Sequence, residues 1–480
     1  MKHGRIMAVV ATLSLMGMAC LAATHYVVPP GTPGATATDP YTNWTTAATN
    51  LIDVVNAALT NAGGKLIWVT NGTYYPTNSM EVANATSLRL QSVNGRDVTI
   101  LDGSHSTNRC IQFDWLSNYG VFDGFTVTNF SGTISSAGIV HGGIITVVNC
   151  LFAGNSNLNS DGGGVHVDLG GATITNCIFR NNYARQSGGA VNVSLHHSYP
   201  SLVTRIMDCR FEGNRAYDYY GGALFSSVRN NIISNCVFVN NSASSRGGAI
   251  YLGLYGTNDL VVNCTFTGNI VDCKGAEKAG YGGGIYNIGK TTIRNCSIIG
   301  NITTNAGGGI YAGMPADTNA TIINCLIARN QATTNIGGGI WMTNTTLVNC
   351  TIVSNYAAVA GGGVYAVGPE NNGTNNIIYF NTAASVVNFT NTAGNMGLNY
   401  SCVIPSVNGT GNITNNPVLK DLAGGDYRLR MTSPCVNAGT NQPWMTNAVD
   451  LAGNARILKI IVDMGAYETR IWQGTIFSVP

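Results

Sequence analysis

Residues 235–251 read NCVFVNNSASSRGGAIY, and this stretch contains the two short words that decide the fold. The first word is a run of glycines followed by an aliphatic residue, and its copies begin at Gly162, Gly188, Gly221, Gly247, Gly282, Gly307, Gly337 and Gly361. The second word, Asn-Cys-x-Phe-x-x-Asn, recurs with small variations and supplies Cys150, Cys177, Cys209, Cys236, Cys264, Cys296, Cys325 and Cys350. The words alternate with a period of about thirty residues, and a fixed period of this length is typical of stacked structural units.

Short β-branched segments connect the two words, such as residues 172–176 (ATITN) and 291–295 (TTIRN). Segments of this kind, with turn residues at their ends, are typical of strands. Three short strands would fill one unit, and successive units would rise by ~4.8 Å, which is the spacing of hydrogen-bonded strands. The sequence therefore predicts an all-β fold, a parallel β-helix in which like residues stack along one axis.

Equivalent positions of successive units are expected to form columns. An apolar column would contain Phe152, Phe179, Phe211, Phe238 and Phe266, continued by Ile298, Ile327, Ile352 and Ile378. A column of turn residues would contain Asn155, Asn182, Asn214, Asn241, Asn269, Asn301, Asn330, Asn355 and Asn381. Asparagine suits a turn because it tolerates left-handed backbone geometry and bonds to nearby backbone, and stacked asparagine side chains can also hydrogen-bond along the axis.

The eight repeat cysteines allow two interpretations. Free cysteine buries readily, so they would form a column of small core residues. Neighbouring units would also bring thiols close enough to bind a metal, but no Cys-x-x-Cys word and no histidine cluster accompanies them. We favour the core column and predict no metal site. Cys402 and Cys435 lie outside the column, and we predict that they form a disulfide in an oxidising compartment.

Composition and the N-terminus indicate an exported protein. Only 10% of the 480 residues are charged and the net charge is +2, so nothing favours a nucleic-acid partner. Lys2, His3 and Arg5 precede an apolar run over residues 6–21, and Leu21-Ala22-Ala23 offers a cleavage site after Ala23. These features are typical of a secretory signal peptide. We expect a secreted or outer-surface location and no transmembrane segment in the mature chain.

The two ends of a solenoid need covers, because open strand edges promote aggregation. Residues 45–61 carry apolar side chains at helical spacing, so we predict a helix there that covers the first coil. From about Gly394 the repeat ends, and we interpret Asp450, Arg456 and Asp463 as a buried network in a C-terminal cap rather than as a catalytic set.

Three resemblances support this organisation. Gly64 to Val69 and Gly72-Thr73-Tyr74 resemble the N-terminal segment of secreted pectate-lyase-like proteins, which implies a right-handed parallel β-helix. The glycine words at Gly188, Gly221 and Gly247, with five Phe-x-x-Asn copies, resemble the repeat of polymorphic outer-membrane proteins, which implies a surface adhesin. Residues 425–429 (GDYRL), 433–439 (SPCVNAG), 450–456 (DLAGNAR) and 462–468 (VDMGAYE) resemble the choice-of-anchor Q module of exported bacterial proteins, although Asn437 stands where an aspartate is common.

The predicted organisation has four parts. They are a signal peptide (1–23), an N-terminal cap with the first coils (24–110), the parallel β-helix repeats (111–395) and an irregular C-terminal choice-of-anchor Q-like module (396–480).

Arginine and tyrosine gather in the middle repeats, where they could bind an acidic glycan. The candidate ligand-binding residues are Arg180, Arg210, Arg215, Tyr217, Asp218 and Tyr219. The alternative is that Arg180 and Glu212 form an exposed ion pair of at most ~1 kcal/mol, and that the tyrosines only cover a corner. An insertion at residues 272–278 is either a solvated loop or a cover over a groove.

No reactive group recurs with the repeat, and fold alone does not determine function. The leading hypothesis is non-catalytic binding or adhesion to a polysaccharide or cell-surface glycan, with no cofactor. The alternative is a carbohydrate-active enzyme for an acidic polysaccharide, either a glycoside hydrolase with paired carboxylates or a polysaccharide lyase that would use Ca²⁺. A third hypothesis is a purely structural envelope protein. Catalytic residues, ligand and oligomeric state are not predicted.

Overall fold

The computed structural model describes residues 23–60, 65–82, 87–113, 119–132, 138–141, 144–168, 171–194, 203–253, 256–276, 278–313, 320–392, 396–458 and 460–470. The described chain winds into a parallel β-helix, which confirms the predicted fold. A full coil contributes strands to four sheets rather than three, because two residues after each column asparagine pair in register with the next coil. The predicted signal peptide, apart from Ala23, lies outside the described residues.

The chain passes through the sheets in the order 1 to 4, and neighbouring strands within each sheet are parallel. Sheet 1 has 14 strands: Ala23–Val27, Lys65–Val69, Leu88–Ser92, Gly120–Asp123, Ile144–Val148, Gly171–Thr175, Arg205–Met207, Ile232–Ser234, Thr257–Val262, Lys290–Arg294, Ala320–Ile323, Thr345–Val348, Asn372–Thr374 and Gly397–Asn399. Sheet 2 has 13: Gly72–Tyr74, Thr99–Asp102, Thr126–Thr128, Leu151–Ala153, Ile178–Arg180, Arg210–Glu212, Val237–Val239, Thr265–Thr267, Ser297–Ile299, Leu326–Ala328, Thr351–Val353, Ile377–Tyr379 and Cys402–Val403.

The other two parallel sheets are shorter. Sheet 3 has 10 strands of two residues: Ser131–Gly132, Ser156–Asn157, Tyr183–Ala184, Arg215–Ala216, Ser242–Ala243, Ile270–Val271, Ile302–Thr303, Gln331–Ala332, Tyr356–Ala357 and Thr382–Ala383. Sheet 4 has 12: Met80–Val82, Ile111–Phe113, Ile139–His141, Val165–Asp168, Val191–Ser194, Leu224–Ser226, Ile250–Leu252, Ile285–Asn287, Ile310–Ala312, Ile340–Thr343, Val364–Val367 and Phe389–Asn391. Near the C-terminus, Leu419–Asp421 pairs antiparallel with Asp426–Leu429.

The predicted columns fill the interior. The rings of Phe152, Phe179, Phe211, Phe238 and Phe266 stack with centroids 4.7–5.0 Å apart and nearly parallel planes. All eight repeat cysteines are buried, and each thiol donates to backbone carbonyl groups, as Cys236 does to Ser234 at 3.1 Å. Both observations confirm that the Asn-Cys-x-Phe word specifies interior packing.

The asparagine column is an interior hydrogen-bond ladder. The Oδ1 atom of Asn241 accepts from the backbone N and the Nδ2 of Asn214, at 3.0 and 2.9 Å. The Nδ2 of Asn241 donates in turn to Asn269 Oδ1 at 2.9 Å and to the Phe211 carbonyl at 3.1 Å. Every amide atom is therefore satisfied without water, which offsets the free-energy cost of burying it.

The left-handed geometry that asparagine tolerates occurs one position before this column. The residues with positive φ are the one before the column asparagine, such as Asn240 (53°), and the one before the repeat cysteine, such as Asn235 (54°). The turn needs positive φ where the chain changes direction, and the column side chain must point inward from the next residue. The glycine word lies at another corner of the coil, where adjacent coils approach closely. A Cβ on Gly248 would lie 2.1 Å from the Gly283 carbonyl oxygen, so only glycine fits there.

The N-terminal cover is a helix, as predicted, but it is shorter. An α-helix spans Leu51–Thr60, and the preceding Trp44–Thr46 form a 3₁₀ turn. The α-helix begins there because Asn50 accepts a hydrogen bond from the backbone N of Ile52 at 2.8 Å, as a capping residue does. Its buried side chains include Leu51, Val54 and Val55, which belong to the main core cluster. Residues 61–64, which follow the helix, lie outside the described residues.

The C-terminal segment packs on the side of the last coils. Leu326, Val353 and Ile377 on the outer face of sheet 2 form a second apolar cluster with Tyr427 and Met464. The side chains of Asn324, Asn349 and Asn375 donate to backbone carbonyls of residues 440–465. The C-terminal segment therefore contacts several coils from the side, in addition to following the end of the solenoid. We name this segment the clasp.

Asp450, Arg456 and Asp463 lie together in this clasp and are all buried, as the sequence predicts. Arg456 pairs with Glu468, with Nη2 and Oε1 3.1 Å apart, and both side chains are at most 2% exposed. Arg456 also donates to Asn324 Oδ1 and to the Gly465 carbonyl. The sequence interpretation did not include Glu468 as the partner.

Candidate functional site

The predicted ligand-binding residues fall into two groups on neighbouring sheets. Arg180 and Arg210 lie on the outer face of sheet 2, where both approach Glu212 Oε2, at 3.7 and 3.2 Å. Arg215 belongs to sheet 3, and Tyr217, Asp218 and Tyr219 follow it toward the glycine corner. The predicted Arg180–Glu212 pair is present, because the two residues occupy equivalent positions in adjacent coils.

The second group is a compact set of paired charges. Arg185 pairs with Asp218, and Arg215 Nη1 lies 2.8 Å from Asp272 Oδ2. The guanidinium groups of Arg185 and Arg215 lie 5.0 and 5.3 Å from the centroid of Tyr217, within the range of cation–π attraction. Tyr219 contacts Tyr220 at a centroid distance of 5.7 Å and takes no part in these ion pairs.

The insertion that follows the sheet 3 strand Ile270–Val271 explains the pairing of Arg215 with a carboxylate. It folds back toward earlier coils, where the backbone N of Gly275 donates to Ser244 and that of Ala276 to Asp218, the latter at 3.2 Å. Asp272 at its start reaches Arg215. The insertion thus lies on the corner and supplies a carboxylate to it. The arginines of this corner already have protein carboxylates as partners, which reduces their capacity to neutralise an acidic ligand.

A surface that sequence reasoning missed lies on the outer face of sheet 4. Phe225, Tyr251, Tyr286, Tyr311, Trp341 and Tyr365 occupy one outward position in consecutive coils, and we name them the aromatic row. From Phe225 to Tyr311 the ring centroids are 4.9–5.0 Å apart and the planes differ by 14–17°. Tyr311 and Trp341 are 4.1 Å apart at 7°. The signal was present in the sequence, because the row follows the inward aliphatic residue of the six glycine words from Gly221 to Gly361.

A second, shorter row flanks the first. Tyr220, Arg246 and Tyr281 lie at the adjoining bridge position of three consecutive coils, and we name them the flanking row. Tyr220 stacks on Tyr251 at 4.8 Å, and the Arg246 guanidinium lies 4.9 Å from Tyr220 and 5.6 Å from Tyr286. The two rows cover each other, so Tyr251 and Tyr286 are only 8% and 6% exposed. Burial raises the pKa of Tyr311 to about 12, so its hydroxyl keeps its proton at neutral pH.

The same register position is not aromatic in the earlier coils. Gln112, Val140, His166 and Asn192 precede Phe225 along sheet 4 at the equivalent position of their own strands. Burial lowers the pKa of His166, and the nearby charges of Asp161 and Asp168 oppose that shift. The aromatic row therefore begins at Phe225.

Neither cysteine chemistry nor metal chemistry defines a site in the described part of the chain. Among those residues, no group of three or more His, Cys, Asp or Glu is arranged to hold a metal ion. Cys402 and Cys435 are free thiols buried in the same apolar cluster, and a hydrogen bond between them raises the pKa of Cys402. Their proximity is compatible with the disulfide, which stays a prediction.

Comparison with known proteins identifies the repeat. Residues 235–253 and 263–288 match the Chlamydia polymorphic membrane protein repeat. Two segments of the chain are therefore similar to this repeat. The matched residues include Tyr251 and Tyr286 of the aromatic row. This confirms one of the three resemblances, whereas the pectate-lyase-like segment and the choice-of-anchor module stay predictions.

One curated relative is similar over part of the chain. Metabotropic glutamate receptor-like protein R of Dictyostelium discoideum is 30% identical over 191 residues. That stretch covers 39% of this chain and 11% of the relative, so the two proteins share only a portion of their length. Among the residues that the structure describes, none forms a helix long and apolar enough to cross a membrane.

Proposed function

We propose that this protein is a cell-surface β-helix that binds polysaccharide without catalysis, and that the aromatic row is its binding surface. The observation that carries the proposal is the row itself. Six aromatic side chains point outward from consecutive coils of one sheet, in a chain where only 10% of residues are charged. At protein–protein interfaces, tyrosine, tryptophan and arginine are the residues that most often dominate the binding free energy.

The row is also rigid before any ligand arrives. Each central ring is held between its neighbours at about 5 Å, so little conformational entropy remains to be lost on binding. The match to a membrane-protein repeat and the predicted signal peptide support a surface location. Anchoring by a choice-of-anchor Q-like module is part of the same proposal.

The test is affinity electrophoresis of the full chain through gels that contain different polysaccharides. The variants Tyr311→Ala and Trp341→Ala remove two half-buried rings of the row. The matched control is Tyr356→Ala, since Tyr356 is 43% exposed on sheet 3 and lies outside the row. We expect the row variants to weaken retardation at least tenfold and the control to leave it unchanged. Equal retardation of all variants, or none for any polymer, would contradict the proposal.

A second candidate is a carbohydrate-active enzyme for an acidic polysaccharide. The observation that favours it is the pair of guanidinium groups on Tyr217, beside Asp218 and Asp272. Incubation with pectin, alginate and glycosaminoglycans, with and without Ca²⁺, distinguishes the two candidates. New reducing ends or unsaturated uronate that disappear in Asp218→Asn would favour the enzyme. Unchanged polymers would favour the binding protein.

A further inference from the structure

We propose that the clasp carries a second binding site, which recognises the phosphate group of a phosphate ester. The site, which we name the clasp cavity, has a volume of about 450 Å³, within the range of small-molecule sites, about 300–1,000 Å³. It lies between the antiparallel strands Leu419–Asp421 and Asp426–Leu429, residues 452–454 and residues 468–470. None of the described residues that line it belongs to the aromatic row or the flanking row. The phosphate site is therefore independent of the proposed polysaccharide surface.

Three cationic side chains line the clasp cavity: Lys420, Arg428 and Arg470. Lys420 and Arg428 lie on the two paired strands, in which the alternate residues Leu419 and Leu429 are buried. All three cations are exposed, so a ligand from solvent can reach them. Like charges on neighbouring strands repel each other and destabilise the strand pair. An anion bound in the cavity would relieve this repulsion.

Two of these cations have no carboxylate partner among the described residues. Asp426 binds Arg428, with Oδ1 2.7 Å from Nε and Oδ2 2.5 Å from Nη2. Arg470 donates from Nε to the uncharged Oδ1 of Asn454 at 2.7 Å. Neither Arg470 nor Lys420 forms an ion pair with another residue in the described part of the chain. The surface of the clasp cavity therefore has an excess of positive charge.

The acidic groups next to the cavity are engaged within the clasp itself. Glu468 lines the cavity, but its Oε1 lies 3.1 Å from Nη2 of Arg456. Burial raises the pKa of Glu468 to about 9, which reduces its negative charge at neutral pH. Asp450 is 2% exposed and accepts hydrogen bonds from three backbone N–H groups at 2.7–2.9 Å. Neither carboxyl group is therefore available to neutralise the two unpaired cations.

The arrangement of donors favours phosphate over carboxylate. A phosphate ester carries a charge of about −1.5 to −2 at pH 7 and three acceptor oxygens, so it can bind cations from both sides of the cavity at once. A carboxylate offers only two oxygens. The Thr469 hydroxyl and the Asn454 amide add uncharged donors to the lining. Met431 is 58% exposed there and offers an apolar contact to the carbon part of the ester.

The same phosphate chemistry occurs in soluble glycerol phosphates and in lipid headgroups, so the experiment has two arms. The first is titration calorimetry of the full chain with sn-glycerol 3-phosphate, and with glucuronate as the carboxylate control. We expect the phosphate ester to bind at least about tenfold more tightly than glucuronate, with an affinity that falls as salt is added. The second arm is flotation with phosphatidylcholine vesicles that contain or lack phosphatidic acid. Binding to the phosphatidic acid vesicles without binding of the soluble ester would assign the phosphate to a lipid.

Equal affinity for glucuronate would overturn the phosphate specificity, and no binding of either phosphate source would overturn the site. The double variant Lys420→Gln, Arg470→Gln removes the two unpaired cations and should weaken phosphate binding by at least about tenfold. The matched control is Lys274→Gln, Lys290→Gln, which removes the same charge from exposed positions outside the cavity and should leave the affinity unchanged. An equal loss in both variants would mean that net charge alone attracts the anion, and would overturn the site.

The variant Asp426→Asn tests the site in the opposite direction. It releases the Arg428 guanidinium from its ion pair, while the amide oxygen can still accept from the backbone N of Arg428, which is 3.2 Å from Asp426 Oδ1. We expect phosphate to bind about threefold more tightly, a gain that partial unfolding cannot produce. Weaker or unchanged binding would contradict a phosphate bound beside Arg428.

Discussion

At the residue scale, the interior is unusual because it contains buried polar side chains. They occur at the same position in successive coils, where each one hydrogen-bonds to the next. Asn241 forms bonds to the coil before it and the coil after it, and its equivalents do the same. A buried polar group is costly when it lacks a partner. The cost is avoided here because the partner is another copy of the same residue one coil away. Where the copies change, a group can be left with an unpaired atom.

Asp259 is such a group, and it makes stability depend on pH. Its Oδ1 accepts from the backbone N and the Nδ2 of Asn231, at 2.8 and 3.1 Å, whereas its Oδ2 is buried without a partner. Burial raises the pKa of Asp259 from 3.8 to about 7. Between these values the folded protein retains a proton that the unfolded chain has released. The free energy of unfolding therefore falls as pH rises from about 4 to about 7 and is level above that.

We predict that Asp259→Asn removes this contribution. Asparagine keeps the Oδ1 acceptor and cannot ionise, so the variant should gain stability over the parent at pH 8, by about 4 kcal/mol as an upper bound. Urea unfolding of both proteins at pH 4, 6 and 8 measures the difference. Asp97→Asn, at an exposed position, is the control. A difference that does not grow between pH 4 and pH 7 would contradict the assigned pKa.

At the element scale, the C-terminal segment is the part that the sequence placed least well. Its four words predicted a cap, but not the clasp on the flank of sheet 2. Contacts such as those between Asn324 and Arg456 join residues more than a hundred positions apart, without a repeat to relate them. The outward residues Leu326, Val353 and Ile377 belong to the second apolar cluster, and their burial becomes interpretable only once the partner is known.

We predict that the Arg456–Glu468 pair holds the clasp in place. Arg456→Met leaves Glu468 buried without its partner, which typically destabilises a protein by about 3–5 kcal/mol. The double variant Arg456→Met, Glu468→Leu removes both buried polar side chains and should recover most of that loss. Hydrogen exchange of residues 440–468 and the melting temperature report the effect. A double variant no more stable than Arg456→Met would contradict this prediction, because Glu468 left buried without its partner would then carry no penalty.

At the scale of the whole molecule, prediction succeeded wherever the repeat itself supplied the neighbour. The Phe152 and Cys150 columns followed from position alone, because one coil always stacks on the next. The pairing of Arg215 with Asp272 did not follow, because the two residues lie two coils apart and Asp272 stands at the start of the insertion. The residues of the aromatic row could be seen next to the glycine words in the sequence. A tyrosine that follows an inward isoleucine is, however, equally consistent with a residue that only packs against its neighbours. Only the structure places these rings outside.

The column of thiols makes the whole solenoid testable in one measurement. The structure describes twelve free cysteines, of which Cys273 alone is not buried. Ellman's reagent should therefore titrate about one thiol in the native protein, and Cys273→Ser should remove that signal. In guanidinium all twelve should react, or two fewer if Cys402 and Cys435 are joined. Rapid reaction of several thiols in the native state would mean that the repeat cysteines do not line a closed interior. The in-register stacking that positions the aromatic row would then be lost with them.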